Sequence, residues 1–389
     1  MIPSGTRQCA YFLLTLPVIL VTTLVLMSCI LMSWHLTSLT PFPAEFVMDS
    51  DRSVHHKHDH EQHQPIFHEG YVLITGASQG IGRAITLELA KRYAPSKRFI
   101  ITSRSLHSLN ELAEQIQSLY HANVTVVPNV DLSQPGGAQL LYQTTKELGL
   151  YVDVLILNAG VGSRGSLVTM DIETIQHMVH LNVESTTILA SLYGQDMKHH
   201  LLNKIHTSQS DANNAQQKKS GEFIGARIMI ISSMVGIVPG VPYASLYAAS
   251  KAYLRSLSWG LAAEMQHMGI GVTCVIPGAT ASTNFASSSS INDALVWSYP
   301  WVVSTPDSVA SRAVDGMERG HIEVFPGRVL DLIFSKVVMP LVPPWFVTWF
   351  FGISWSSGAW LQRSGVYGFM KQLFDDGNER TNGQRPAEL

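Results

Sequence analysis

"YVLITGASQGIGRAITLELAKRY", residues 71–93, reads as a strand, a glycine turn and a helix in that order. Residues 71–75 are aliphatic, aromatic or β-branched throughout, as a strand covered on both faces tends to be. Gly76, Gly80 and Gly82 follow, and the run 83–93 then places apolar residues three and four apart, the period of an amphipathic helix. Gly76 permits a tight turn, Gly80 lets a pyrophosphate approach the backbone, and Gly82 lets the helix pack closely. The helix N-terminus offers free N–H groups and the positive end of its dipole to an anion. Glycine spacing alone is weak evidence; the strand–turn–helix context gives it weight.

The same texture repeats along the chain. "RFIIT" (98–102), "VTVVP" (124–128), "DVLIL" (153–157), "ARIMIIS" (226–232) and "IGVTCVI" (270–276) are short β-rich runs, with helical patterns such as "SLNELAEQIQSLY" (108–120) between them. Strands alternating with helices imply a parallel sheet covered on both faces. One α/β doubly wound domain over residues 67–327 fits the length. The 389 residues, 46% of them hydrophobic and 14% charged, exclude a disordered or fibrous chain. A formal charge of −3 gives no field that would select nucleic acid. The three cysteines define no disulfide framework.

The flanks differ from this domain. Ala10–Trp34 carries no charged residue and is long enough to span a bilayer, so residues 1–36 are read as an uncleaved membrane anchor. The positive-inside rule leans toward a cytoplasmic N-terminus, on Arg7 alone. Residues 37–66 form a polar linker in which "HHKHDHEQHQ" (55–64) is a solvated tether rather than a metal site, since its histidines have neither fixed geometry nor cysteine partners. Residues 203–222 read as a disordered surface insertion. Residues 328–362 form a hydrophobic C-terminal segment, followed by a polar tail, 363–389. Its core, "VVMPLVPPWFVTWFFGISW" (337–355), is uncharged and broken by Pro340, Pro343 and Pro344, so a straight spanning helix is not expected. An interfacial membrane segment, a lid over the active site and a dimer contact all remain open.

The chemistry centres on "YAASK", 247–251. Tyr247 and Lys251 are i and i+4, so on a helix they leave one face. A free phenol has a pKa of roughly 10. A nearby ammonium, together with an oxidised nicotinamide, stabilises phenolate and is expected to draw that pKa toward the working range. Tyr247 then acts as general acid for carbonyl reduction, or as base for the reverse. Taken alone, this pair is more often structural; Tyr243 and Tyr253 lie close by in the chain.

The glycine turn, "NAG" (158–160), Ser233 and Y-x-x-x-K together resemble the short-chain dehydrogenase/reductase family, over roughly two thirds of the chain. The resemblance implies a Rossmann-type sheet of about seven strands and catalytic residues Asn182, Ser233, Tyr247 and Lys251. Ser233 would polarise the substrate oxygen, with Ser232 as its competitor, and Asn182 would kink its helix and hold a relay water. Lys251 would also hold the nicotinamide ribose. The cofactor site implied comprises Gly76, Ser78, Gln79, Gly80, Ile81 and Gly82 in the turn, then Ser103 and Arg104. Asp131 and Leu132 at the adenine, Asn158, Ala159 and Gly160 beside the adenosine, and Pro277, Gly278 and Thr280 near the nicotinamide complete it, with Tyr247 and Lys251 shared; no metal is implied. The separation of Ser233 from Tyr247 is one residue longer than in many relatives, which puts a bulge or a shifted register in "IVPGVPY" (237–243).

Charge selects the cofactor. "IITSRS" places Ser103 where an NAD enzyme carries an acid, and Arg104 follows, a guanidinium suited to a 2′-phosphate, so NADP(H) is favoured over Arg104 merely opening a solvated turn. Trp297, Tyr299, Pro300 and Trp301 suit an apolar pocket wall. With the anchor, they suggest oxidation or reduction of a lipophilic substrate (steroid, retinoid, sphingoid or fatty-acyl), membrane-bound in the endoplasmic reticulum, with a homodimer or homotetramer plausible. The alternative is a catalytically silent, membrane-tethered nucleotide-binding scaffold.

Overall fold

The structure, a computed structural model, describes residues 70–210, 225–281, 303–327 and 341–355. Seven strands, β1 (Tyr71–Thr75), β2 (Arg98–Thr102), β3 (Val124–Val127), β4 (Val152–Leu157), β5 (Arg227–Ile231), β6 (Gly271–Val275) and β7 (Glu323–Val324), form one sheet. Their order is β3-β2-β1-β4-β5-β6-β7 and every pairing is parallel. The order reverses between β1 and β4, which opens a crevice at the carboxyl ends of the strands.

Side chains of one strand alternate between two apolar layers. Val72 and Ile74, Phe99 and Ile101, Val154 and Ile156, and Met229 and Ile231 meet α1 (Gly80–Tyr93), α2 (Leu106–Tyr120) and α7 (Pro306–Glu318). Leu73, Ile100, Leu155, Ile228 and Ile230 face the other way. There they pack with α3 (Gly137–Glu147), α5 (Ser185–Ser210) and α6 (Ser245–Met265). The short α4 (Ile172–Val179) leads into α5 through a π-turn, His180–Glu184. The six apolar runs in the sequence are thus six of the strands. The seventh has only two residues, too few for a periodic signal, and is placed by pairing of Cys274 with Glu323 and Val275 with Val324.

Two differences from the sequence reading stand out. Helix α5 continues to Ser210, so residues 203–210 of the expected disordered insertion are helical. Leu, Lys, His and Gln in "LLNKIHTSQS" carry no helix breaker, and an established helix extends at little cost through such residues; the remainder, 211–222, lies outside the described residues. At the C-terminus, α8 (Pro344–Trp355) begins on a proline, which the first helical position accommodates. Among the described residues no helix is long and apolar enough to cross a membrane. The expected anchor, the histidine tract and Pro340 lie outside the described residues. Apart from 341–343, the described residues form one compact unit by their internal contacts.

Opposite the crevice, at the amino ends of the strands, Lys97 is buried and its ammonium donates to both oxygens of Asp153, at 2.7 and 2.6 Å. The Gly70 amide donates to the same carboxylate at 2.9 Å. Removing one partner of such a pair leaves an uncompensated charge in the interior. Lys97→Ala should therefore cost about 3 kcal/mol in urea unfolding. Lys146→Ala, which breaks the solvent-facing Lys146–Asp196 pair, should cost under about 1 kcal/mol.

Candidate active site

The glycine turn is fixed by the side chain of Asn158. Its amide Nδ2 donates to the carbonyls of Thr75 and Gly76 at 3.0 and 3.1 Å, tying the end of β1 to the end of β4. Thr75 Oγ1 in turn accepts from the amides of Asn158 and Ala159, both at 3.1 Å. Gly76 adopts φ 65°, which L side chains disfavour. A Cβ on Gly82 would collide with Asn158 Nδ2 and Gly76 O, so the helix can approach β4 this closely only as glycine. Gln79, the N-cap of α1, makes no side-chain capping hydrogen bond, and the first-turn amides of a helix have no partner within the helix itself. The backbone cradle suits a diphosphate.

The next strand ends supply the rest. Ser233 follows β5 in extended backbone, and its hydroxyl is hydrogen-bonded to Tyr247. Ser232 turns away, is buried, and donates to the Lys251 carbonyl at 2.7 Å. The geometry therefore separates the two serines: Ser233 faces the phenol, and Ser232 pins α6 to β5. Tyr247 and Lys251 lie on one face of α6, with Lys251 Nζ 5.8 Å from the Tyr247 ring centroid. That ammonium donates to the Ile231 carbonyl at 2.9 Å.

Asn182 is fully buried in the π-turn. Its Oδ1 accepts from the Val161 amide at 2.9 Å, while Nδ2 donates to Val161 O at 2.8 Å and to Ser250 Oγ at 3.0 Å. Ser250 Oγ passes the chain on, donating to the Tyr247 carbonyl at 2.7 Å. Asn182 thus clips the segment after "NAG" to the helix of Tyr247. Thr75 and Ser250 were not singled out in the sequence. The signal for Ser250 was its place three residues after Tyr247, where a serine hydroxyl reaches back to a helix carbonyl.

Burial sets the charge states. It pushes the Tyr247 phenol up to about 12, with the Ser233 hydrogen bond working against it. It lowers Lys251 to about 8, with Cys274 opposing. The expectation from sequence combined the ammonium with an oxidised nicotinamide; in the protein alone, burial pushes the phenol up against the Ser233 hydrogen bond, and the ammonium is engaged by the Ile231 carbonyl. Near pH 7 the phenol keeps its proton and the lysine its charge.

At the far end, Asp131 accepts from the Ser133 amide and hydroxyl at 3.0 and 2.6 Å. Burial acts to raise this carboxyl, but the two Ser133 hydrogen bonds and the charge of Arg104 hold it below the ordinary value. Arg104 thus lies within electrostatic reach of Asp131, and Leu132 beside it is buried. Ser103, with no acid in its place, ends the second strand's turn. Past β6, the Pro277 carbonyl accepts from Met234 and buried Thr280 bridges to Ser304, so Pro277, Gly278 and Thr280 edge the same crevice. Ser78, Ile81, Ala159 and Gly160 complete it from the β1 and β4 ends; a Cβ on Gly160 would lie 3.3 Å from both Asn182 Oδ1 and Lys251 Nζ. Trp297, Tyr299, Pro300 and Trp301 fall outside the described residues. Among the described residues no group of side chains is arranged to hold a metal ion.

Comparison with known proteins gives the family of the chain. The family model of the short chain dehydrogenases matches residues 70–293. A very-long-chain 3-oxoacyl-CoA reductase-like protein of Arabidopsis thaliana is 30% identical over 211 residues, covering 53% of this chain and 58% of that protein. A very-long-chain 3-oxoacyl-CoA reductase of Lodderomyces elongisporus is 30% identical over 208 residues, covering 53% of each chain. The chain thus spans little more than half the length of these two relatives. Among solved structures, a short-chain dehydrogenase from Sphingobium yanoikuyae in complex with NADPH gives a TM-score of 0.55 at 22% identity, covering 82% of this chain and 98% of that one. A bulky-bulky ketone specific alcohol dehydrogenase from Comamonas testosteroni gives 0.52 at 24% identity, covering 66% and 86%. These two likenesses speak to the fold. With the family model matching more than half of its length, the chain belongs to the short chain dehydrogenase family of oxidoreductases.

Proposed function

We propose that this protein is an NADP(H)-dependent, membrane-bound oxidoreductase that interconverts a lipophilic ketone and its alcohol. The observation that carries the reading is the cluster of Ser233, Tyr247 and Lys251, in which burial keeps the phenol protonated. A protonated phenol can donate to the carbonyl oxygen in reduction, and the same group takes that proton back in the reverse reaction. Bound NADPH supplies the hydride. Ser233 Oγ hydrogen-bonds the carbonyl oxygen where negative charge develops, and Tyr247 Oη holds the proton that this oxygen takes. Lys251, charged below about pH 8, holds the ribose hydroxyls and stabilises the tyrosinate left behind. Asn182 keeps Tyr247 in place through Ser250.

Arg104 supports the phosphorylated cofactor. It follows β2 where no carboxylate stands to accept from a ribose hydroxyl, and its charge is felt at Asp131. A lipophilic substrate, with a fatty-acyl ketone first among the candidates, is supported by the names of the Arabidopsis and Lodderomyces relatives. The uncharged stretch Ala10–Trp34 and the aromatic helix α8, on which Trp345 and Phe346 are exposed, support a membrane location, for which we favour the endoplasmic reticulum. A homodimer or homotetramer remains part of this reading.

Tyr247→Phe should lower kcat for NADPH-dependent reduction of a 3-oxoacyl thioester by roughly 10²- to 10⁴-fold, as followed by loss of NADPH absorbance. Unchanged turnover would remove the proton donor from this account. Arg104→Ala should reduce the preference for NADPH over NADH by about 10- to 100-fold in kcat/KM, the worth of one charge-assisted phosphate contact. The pH profile of kcat/KM for NADPH, which reports free-enzyme groups, should fall on its alkaline side around pH 8. Lys251 loses its proton there as pH rises through its lowered pKa.

A further inference from the structure

Two disfavoured backbone conformations meet in one hydrogen bond beside the catalytic serine and tyrosine. Tyr243 adopts φ 64°, the left-handed region in which its Cβ crowds the backbone. Its carbonyl accepts from the amide of Gly165 at 2.8 Å, and Gly165 itself stands at φ 153°, a value L side chains rarely adopt. Tyr243 belongs to the segment leaving β5, between Ser233 and Tyr247. Gly165 belongs to the segment leaving β4, which Asn182 grips at Val161. The bond therefore joins the segments that leave β4 and β5, at the carboxyl end of the sheet where ligands bind in this architecture.

The other side of Tyr243 is buttressed. Pro242 packs against α8 at Gly352, where a Cβ would stand 3.1 Å from the proline ring, and a Cβ on Gly240 would lie 3.9 Å from Thr348 Oγ1. Strain of this kind persists only where surrounding contacts hold it, and it collects at functional positions. A helix that the proposed chemistry does not use is thus connected, through Pro242 and the carbonyl of Tyr243, to the loop at Gly165.

We propose that Tyr243 is a positioning residue whose left-handed backbone latches the β4 and β5 loops together, with α8 as its buttress, and that this latch sets the affinity for the carbonyl substrate and not for the cofactor. The proposal rests on the reductase reading above, but its backbone part is testable without turnover. Tyr243→Val cannot hold φ near 64° and breaks the latch, whereas Tyr243→Asn tolerates that conformation and removes only the phenol. Gly165→Ala is the companion variant: its methyl meets nothing within 4 Å, so only the backbone angle objects.

Each variant is compared with the full chain by hydrogen exchange of the peptide spanning 161–166, NADPH binding by fluorescence, and kcat and KM for a 3-oxoacyl thioester. Tyr243→Val and Gly165→Ala should speed exchange at 161–166 and raise KM for the thioester by roughly five- to tenfold, the worth of one hydrogen bond, with kcat and NADPH affinity held. Tyr243→Asn should behave as the parent protein. Equal KM rises in Asn and Val variants would make the phenol and not the backbone the determinant, and would overturn the latch. So would unchanged exchange at 161–166, or a rise in the Kd for NADPH equal to that in KM. If the parent protein reduces no carbonyl, the reductase reading fails, and the exchange data alone decide whether the latch exists.

Discussion

Lys251 is an ammonium with 5% of its surface exposed, and among the described residues the hydrogen bond recorded for it goes to one neutral carbonyl, that of Ile231. Keeping a cation there costs desolvation, which is why its pKa falls to about 8. The same burial encloses the phenol one turn earlier and drives it the other way, up to about 12. Most of the site follows from this shared enclosure. Ser232 holds the helix that carries both groups against β5, Asn182 and Ser250 hold it against the β4 loop, and Ser233 is left to face the phenol. The result is a charged lysine beside a protonated tyrosine near neutrality. That pairing suits donation of a proton to an oxygen gaining negative charge.

The sheet explains why these groups can meet. Of the residues that the family resemblance implies and the structure describes, all but Asn182, which sits in the π-turn before α5, follow the carboxyl end of a strand or lie on α1 or α6. Asn158 binds the first and fourth strands where the order reverses, so the glycine cradle and the helix of Tyr247 and Lys251 share one edge. The opposite edge carries stability instead: Lys97 and Asp153 neutralise one another at the amino ends, away from the crevice.

Much of this was legible in the sequence. Six strands announced themselves as β-branched runs between turns, because strands buried on both faces must be apolar at every position. Tyr247 and Lys251 share a face because helical geometry fixes it. The charge states were not legible. Spacing shows that two groups are near each other, whereas desolvation depends on what closes over them, and in the protein alone it pushes the phenol up. The two-residue β7 and the continuation of α5 to Ser210 escaped for a different reason: one is set by pairing and the other by an existing helix, not by local pattern. The extra residue between Ser233 and Tyr247 did leave a trace. The sequence reading expected a bulge or shifted register in 237–243; what stands there is a residue in the left-handed region, Tyr243, which no local pattern announced.

The central claim is that the enclosed phenol keeps its proton through neutral pH. Ultraviolet difference titration of tyrosinate absorbance, comparing the parent protein with Tyr247→Phe, tests it directly. The difference between the two curves should stay flat from pH 6 to beyond pH 10 and rise only toward about 12. A difference step complete below about pH 9 would mean a tyrosinate at working pH, and with it a base in place of the donor described above.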